Sequence, residues 1–96
     1  MNDLIRFSLY DGVAKKFGWK NQVSVAIEEL AELTKELTKV QRDKVNRMKI
    51  CEEIADVEVC LEQLINKYDS TRSAVNMFKE FKLKRLEKFY LEGEYK

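Results

Sequence analysis

The sequence predicts an all-α fold: four antiparallel helices in a bundle that is completed by oligomerisation. Three observations carry this. Proline is absent and only three glycines occur in 96 residues, so little in the chain breaks a helix. Apolar residues recur at alternating spacings of three and four, the period of an amphipathic helix. The stretches between these patterns are short, which makes consecutive helices antiparallel neighbours.

The first helix is expected over about residues 3–17, where Ile5, Leu9, Val13 and Phe17 recur every fourth position. Gly12 weakens its middle, and Gly18 supplies a stop. The second is expected over about 22–42, with Asn21 as its cap and Val23, Ile27, Leu30 and Leu37 as its stripe. Asp43 or Asn46 starts the third, whose stripe is Ile50, Ile54, Val57, Leu61, Leu64 and Tyr68. Asp69, Ser70 and Thr71 offer caps for a fourth helix over about 72–91. The tail, 92–96, is expected to fray.

Composition narrows the function. The chain is a single domain, and 36% charged residues leave a net charge of only +1, so no field favours nucleic acid or an anionic membrane. Histidine is absent. That removes Ser-His and Cys-His nucleophile systems, His-based zinc sites and Glu-x-x-His di-iron sites. Cys51 and Cys60 fall on one predicted helix, about 13 Å apart along it and on opposite sides, too far to form a disulfide. Free thiols, with no visible leader and no apolar run of transmembrane length, point to the cytoplasm.

Two acidic signatures stand out: Glu28-Glu29-Leu30-Ala31-Glu32 and Glu53-Ile54-Ala55-Asp56. Each places two carboxylates three residues apart, on one face of a helix. Their number means nothing, since 17 acids in this length yield about three such pairs by chance. Their position is informative. Both pairs lie about ten residues from the bend between helices two and three, so they come level in an antiparallel hairpin. Four oxygens meeting there require a positive partner, and a hard divalent cation fits. The alternative is a solvated acidic face. Against that stand like-charge pairs at four-residue spacing, Glu28/Glu32, Glu32/Glu36 and Glu52/Asp56, each costing a few tenths of a kcal/mol. The apolar face of helix two centres on Leu30, Leu33 and Leu37, with Glu29, Glu32 and Glu36 beside it at the seam.

Helix four carries Ala74, Val75, Phe78, Phe81, Leu86 and Phe89 on its apolar face, with Lys82 and Arg85 in the middle of that face. Such cations need partners: Glu58 or Glu62, or the oxygens of a bound phosphate. Trp19 either plugs the core or stacks on a base whose edge Asn21 or Gln22 reads.

The sequence resembles the MazG-like all-α nucleoside triphosphate pyrophosphohydrolases, in particular short phage and Gram-positive members. The resemblance rests on Glu-Glu-x-x-Glu, twenty residues, then Glu-x-x-Asp, within EELAELTKEL and EEIADVEVCLEQL. It extends over residues 11–89, including FGWKNQ and KLKRLEKF. It implies a helical dimer or tetramer that converts a nucleoside triphosphate, a deoxynucleotide or a non-canonical one, to monophosphate and pyrophosphate. It implies Mg²⁺, with Mn²⁺ as a substitute, held by Glu29, Glu32, Glu53 and Asp56. Glu28 and Glu36 match outer positions or the general base. Lys82 and Arg85 match the nucleotide-contacting basic segment, and Trp19 with Gln22 would complete substrate binding. Base preference does not carry over, because an asparagine of pyrimidine-selective relatives is missing. A nucleotide-binding homologue without catalysis and a plain helical interaction module are the rival expectations.

Overall fold

One glycine ends the first helix and begins the second. The computed structural model describes residues 1–93. Helix α1 spans Asp3–Phe17, and the Asn2 side chain caps it by accepting the Ile5 N–H at 2.9 Å. Gly18 takes φ 91° and donates its N–H to Ala14 O, a backbone state that suits a residue without Cβ. This turn lets α2 start at once, over Trp19–Val40. Asn21, the expected cap, therefore lies inside the first turn of α2. The helix ends two residues before the expected Arg42, where 41–43 turn and Asp43 adopts φ 58°.

Of the two possible starts for α3, Asn46 is the one used: its side chain accepts the Lys49 N–H at 3.1 Å, and the helix runs Arg47–Ile65. Tyr68, expected on the α3 stripe, lies beyond the helix in the following turn. Helix α4 spans Thr71–Glu92 and closes on Gly93 at φ 73°. Glu92 is thus helical rather than frayed; residues 94–96 of the expected fraying tail lie outside the described ones.

The main contact is the α2–α3 hairpin; α1 packs on α2, and α4 touches α3 only lightly. At about 100° per residue, the side of α2 that meets α3 is carried by Gln22, Ala26 and Glu36, all buried, with Glu29 half-buried between them. The facing side of α3 is Glu53, Val57 and Cys60. This differs from the expected arrangement. The acids of α2 occupy the contact face, and the Leu30/Leu37 stripe is turned about 70° away from it. Half-buried Leu33, the middle member of the expected stripe, shares that side of α2 with the small Ala26. The expected α1 stripe is displaced as well: Ile5, Leu9 and Phe17 are exposed, and Tyr10 is the buried residue of that helix. No side chain of α4 is buried. The radius of gyration is 16.4 Å, against about 12.5 Å for a compact domain of this length.

Tyr10 ties α1 to α3. Its hydroxyl donates to Glu62 Oε2 at 2.5 Å, and Arg6 Nε lies 3.3 Å from the same oxygen. One turn on, Asn66 Nδ2 donates to Asp11 Oδ1 at 2.8 Å. Burial, then the Glu62 carboxylate, pushes the Tyr10 phenol up to about 12. A raised phenol value favours the neutral hydroxyl in the folded state, so this stabilisation is complete below pH 10 and is lost as pH rises from 10 to about 12. Tyr10→Phe is expected to cost about 1.5 kcal/mol, read as a melting temperature lower by about 6–12 °C at pH 8. Wild type and variant should converge near pH 12; an unchanged melting temperature at pH 8 would remove Tyr10 as an anchor. Among the described residues no helix is long and apolar enough to cross a membrane.

Candidate metal centre

Three carboxylates from the two helices of the hairpin converge. One ligand oxygen each from Glu29, Glu53 and Asp56 lies within 4.8 Å of the others. The backbone explains how. Glu29 lies on the α3-facing side of α2, Glu53 on the α2-facing side of α3, and Asp56 one turn further along α3. Antiparallel packing brings these positions level, as the spacing from the bend predicts.

The members differ in environment. Glu53 is 4% exposed. Its Oε1 lies 3.0 Å from Lys49 Nζ, and its Oε2 is buried without a hydrogen-bond partner. A buried carboxylate oxygen left bare is costly. Lys49 also lies 3.5 Å from Glu52, and the Glu53 and Glu52 carboxylates hold its ammonium above the usual lysine range. Asp56 is exposed and Glu29 half-buried. Partial desolvation and then the Asp56, Glu53 and Glu32 carboxylates push the Glu29 carboxyl upward, with a hydrogen bond to Asp56 adding to the rise. Cys60 sits close enough for Glu29 and Asp56 to raise its thiol further, after burial has done most of the raising.

A raised Glu29 value means that the folded, metal-free protein takes up a proton before the unfolded chain does. Its stability therefore grows as pH falls through the window between the raised value and the ordinary glutamate value, and is lost as pH rises back through it. Glu29→Gln should flatten that part of the pH profile of the melting temperature in EDTA. A variant profile parallel to wild type would show that the acids do not repel.

The remaining expected residues fall in different places. Glu32 is exposed and outside the three-carboxylate group, so three oxygens rather than four meet; it lies about 60° further round α2 than Glu29. Glu28 is exposed. Glu36 is buried and held by Lys39 Nζ at 2.9 Å. Gln22 is buried on the same side of α2 as Glu29, and its Nε2 has no partner. Trp19, about 15 Å along α2 from Glu29, packs on Tyr68 with ring centroids 6.4 Å apart, and Lys67 Nζ stands 5.3 Å over its ring.

Lys82 and Arg85 are exposed, and neither forms an ion pair among the described residues. The face of α4 that was expected to bury them is itself uncovered. Glu62, expected as their partner, is taken by Tyr10 and Arg6.

Lys49 is the cation that offsets part of the repulsion among these acids. Its spacing of four from Glu53 was the available signal. The hollow of about 170 Å³ between Phe7, Ile65, Tyr68 and Arg72 lies elsewhere, at the turn before α4. Comparison of the chain with protein-family models, with curated proteins and with solved structures returns no match.

Proposed function

We propose that this protein is a Mg²⁺-dependent hydrolase that splits a nucleoside triphosphate into monophosphate and pyrophosphate. The observation that carries the reading is the trio Glu29, Glu53 and Asp56, drawn within 4.8 Å with a bare, buried Glu53 oxygen among them. Such a cluster needs compensation beyond one lysine, and a hard dication with oxygen ligands matches the donor set. The bare Glu53 oxygen and the like-charge neighbours fit that ion; the absence of histidine and the rise in the Cys60 thiol argue against softer metals.

In this reading Glu29, Glu53 and Asp56 hold Mg²⁺, or Mn²⁺ in its place, and Glu32 joins them from the rim. When bound, Mg²⁺ neutralises the charge of the triphosphate and of the departing pyrophosphate. Glu28, exposed and free, accepts the proton of the attacking water, while Glu36, neutralised by Lys39, positions the hairpin. Lys82 and Arg85 carry charge for the phosphate oxygens. Phosphoryl substitution asks for positioning and charge more than for a covalent nucleophile, which suits a chain without histidine. Gln22, with a buried amide lacking a partner, is the polar group available to a base near this seam; Trp19, packed on Tyr68, contributes from the same end.

The test is a panel of canonical and modified nucleoside triphosphates incubated with the protein and Mg²⁺, read as pyrophosphate release. Release from at least one, abolished by EDTA, is expected. Folded protein that binds Mg²⁺ and releases none from any member would leave a non-catalytic binder. The exposed apolar residues of α4 favour a second reading, a helical interaction module, which predicts no thermal response to Mg²⁺.

A further inference from the structure

Helix α4 differs from the other three in surroundings and in charge. It runs for 22 residues, buries none of its side chains and touches α3 only lightly. Residues 71–92 carry six lysines and arginines against three glutamates, a charge of +3, while all other residues together carry −2. The whole-chain value of +1 averages over this division and gives no field that favours an anionic surface. A separate, cationic helix does give one.

The charges on α4 are also sorted by side. At about 100° per residue, Val75, Phe78, Phe81 and Leu86 share a stripe about 140° wide. Lys82 and Arg85 project from within that stripe, and Lys79 and Lys88 border its two edges. Glu80 and Glu87 point the opposite way; Glu92, the last residue of the helix, is the one acid on the stripe's side. Phe78 and Phe81 are 56 and 64% exposed. Whatever covers this stripe has to be apolar and anionic at once.

We propose that α4 is an interfacial helix that lays this stripe on an anionic lipid surface. A bilayer of that kind presents acyl chains beneath a layer of phosphates and carboxylates. Phe78, Phe81 and Leu86 enter the acyl boundary. The long stems of the lysines and of Arg85 carry their charged heads up to the phosphates, including the two that start mid-stripe. Glu80 and Glu87 stay in water on the far side. A protein partner would need a groove whose carboxylates match Lys82 and Arg85 one by one, whereas mobile lipid headgroups gather around them. The helix lies on the surface and does not span it, since no helix among the described residues is long and apolar enough to cross a membrane. The carboxylate trio belongs to α2 and α3 and has no part in the contact.

Co-sedimentation of the full chain with sucrose-loaded vesicles, of phosphatidylcholine alone or with about one third phosphatidylserine, tests the proposal. Partitioning onto the anionic vesicles is expected to be at least about tenfold stronger, and to fall several-fold as salt rises from about 0.05 to 0.5 M. Phe78→Ser with Phe81→Ser should weaken it at least about tenfold. Lys79→Gln with Lys88→Gln, at the edges of the stripe, should weaken it by about tenfold. Met48→Gln, exposed on α3, should change nothing. The far-ultraviolet helix signal checks each fold; should the double serine variant lose it, Phe81→Ser alone serves, with a several-fold weakening expected. No partitioning onto anionic vesicles overturns the proposal, whether the chain is a monomer or its α4 is covered by another copy. So does equal partitioning onto both vesicles, or binding that survives the serine variants and is therefore charge attraction alone. None of the substituted residues belongs to the proposed metal and nucleotide site, so vesicle binding and pyrophosphate release stand or fall separately.

Discussion

Glu53→Gln is expected to lower pyrophosphate release by at least about 100-fold, the loss that follows when a few kcal/mol of metal-dependent charge stabilisation disappears. The reason is local. Glu53 is the only buried member of the trio, and its Oε2 has no hydrogen-bond partner among the described residues. Glutamine keeps the shape of the side chain, removes its charge, and offers a cation a much poorer donor. The fold should survive, because among the described residues the carboxylate pairs only with the half-exposed Lys49, an interaction worth about 0–1 kcal/mol. Asp56→Asn should give a similar loss of turnover and, by relieving repulsion with Glu29, raise the metal-free melting temperature. Full turnover in Glu53→Gln would eliminate this cluster as the catalytic centre, whatever its stability.

Mg²⁺ itself should produce the second large effect. At about 100 times its dissociation constant, a ligand that binds only the folded state adds about 2.7 kcal/mol, equivalent to a rise in melting temperature of about 10–20 °C in a domain of this size. EDTA should reverse it. Lys49 competes with the ion for Glu53 Oε1, which it approaches to 3.0 Å. Lys49→Met should therefore tighten Mg²⁺ binding by about two- to five-fold, in keeping with the strength of a partly exposed pair. No shift with Mg²⁺ in wild type, or weaker binding in Lys49→Met, would show that the trio is a solvated acidic patch.

The helices were legible because helix formation is local. Proline-free segments, apolar periodicity and the cap Asn46 act within a few residues. The errors in their ends came from particular turns. Gly18 at φ 91° let α2 begin three residues earlier than Asn21 suggested, and the Asp43 turn ended it two residues sooner. Glu29, Glu53 and Asp56 were legible too, since register from a bend follows from a rise of about 1.5 Å per residue. Glu32 was not, because a three-residue step turns the helix by about 60°, enough to leave its carboxylate at the rim.

Sequence alone determined four helices and the level at which Glu29 comes beside Glu53 and Asp56; these follow from backbone geometry and near-neighbour pattern. Only the tertiary structure decided which side of each helix faces its neighbour. Periodicity reveals that a helix has an apolar stripe, but rotation about its axis is set by packing against the neighbour, and here Ala26, Val57 and Cys60 are buried while Leu30 and Leu37 are not. That rotation puts Glu53 inside and Leu37 outside, creating both the carboxylate cluster and the uncovered face.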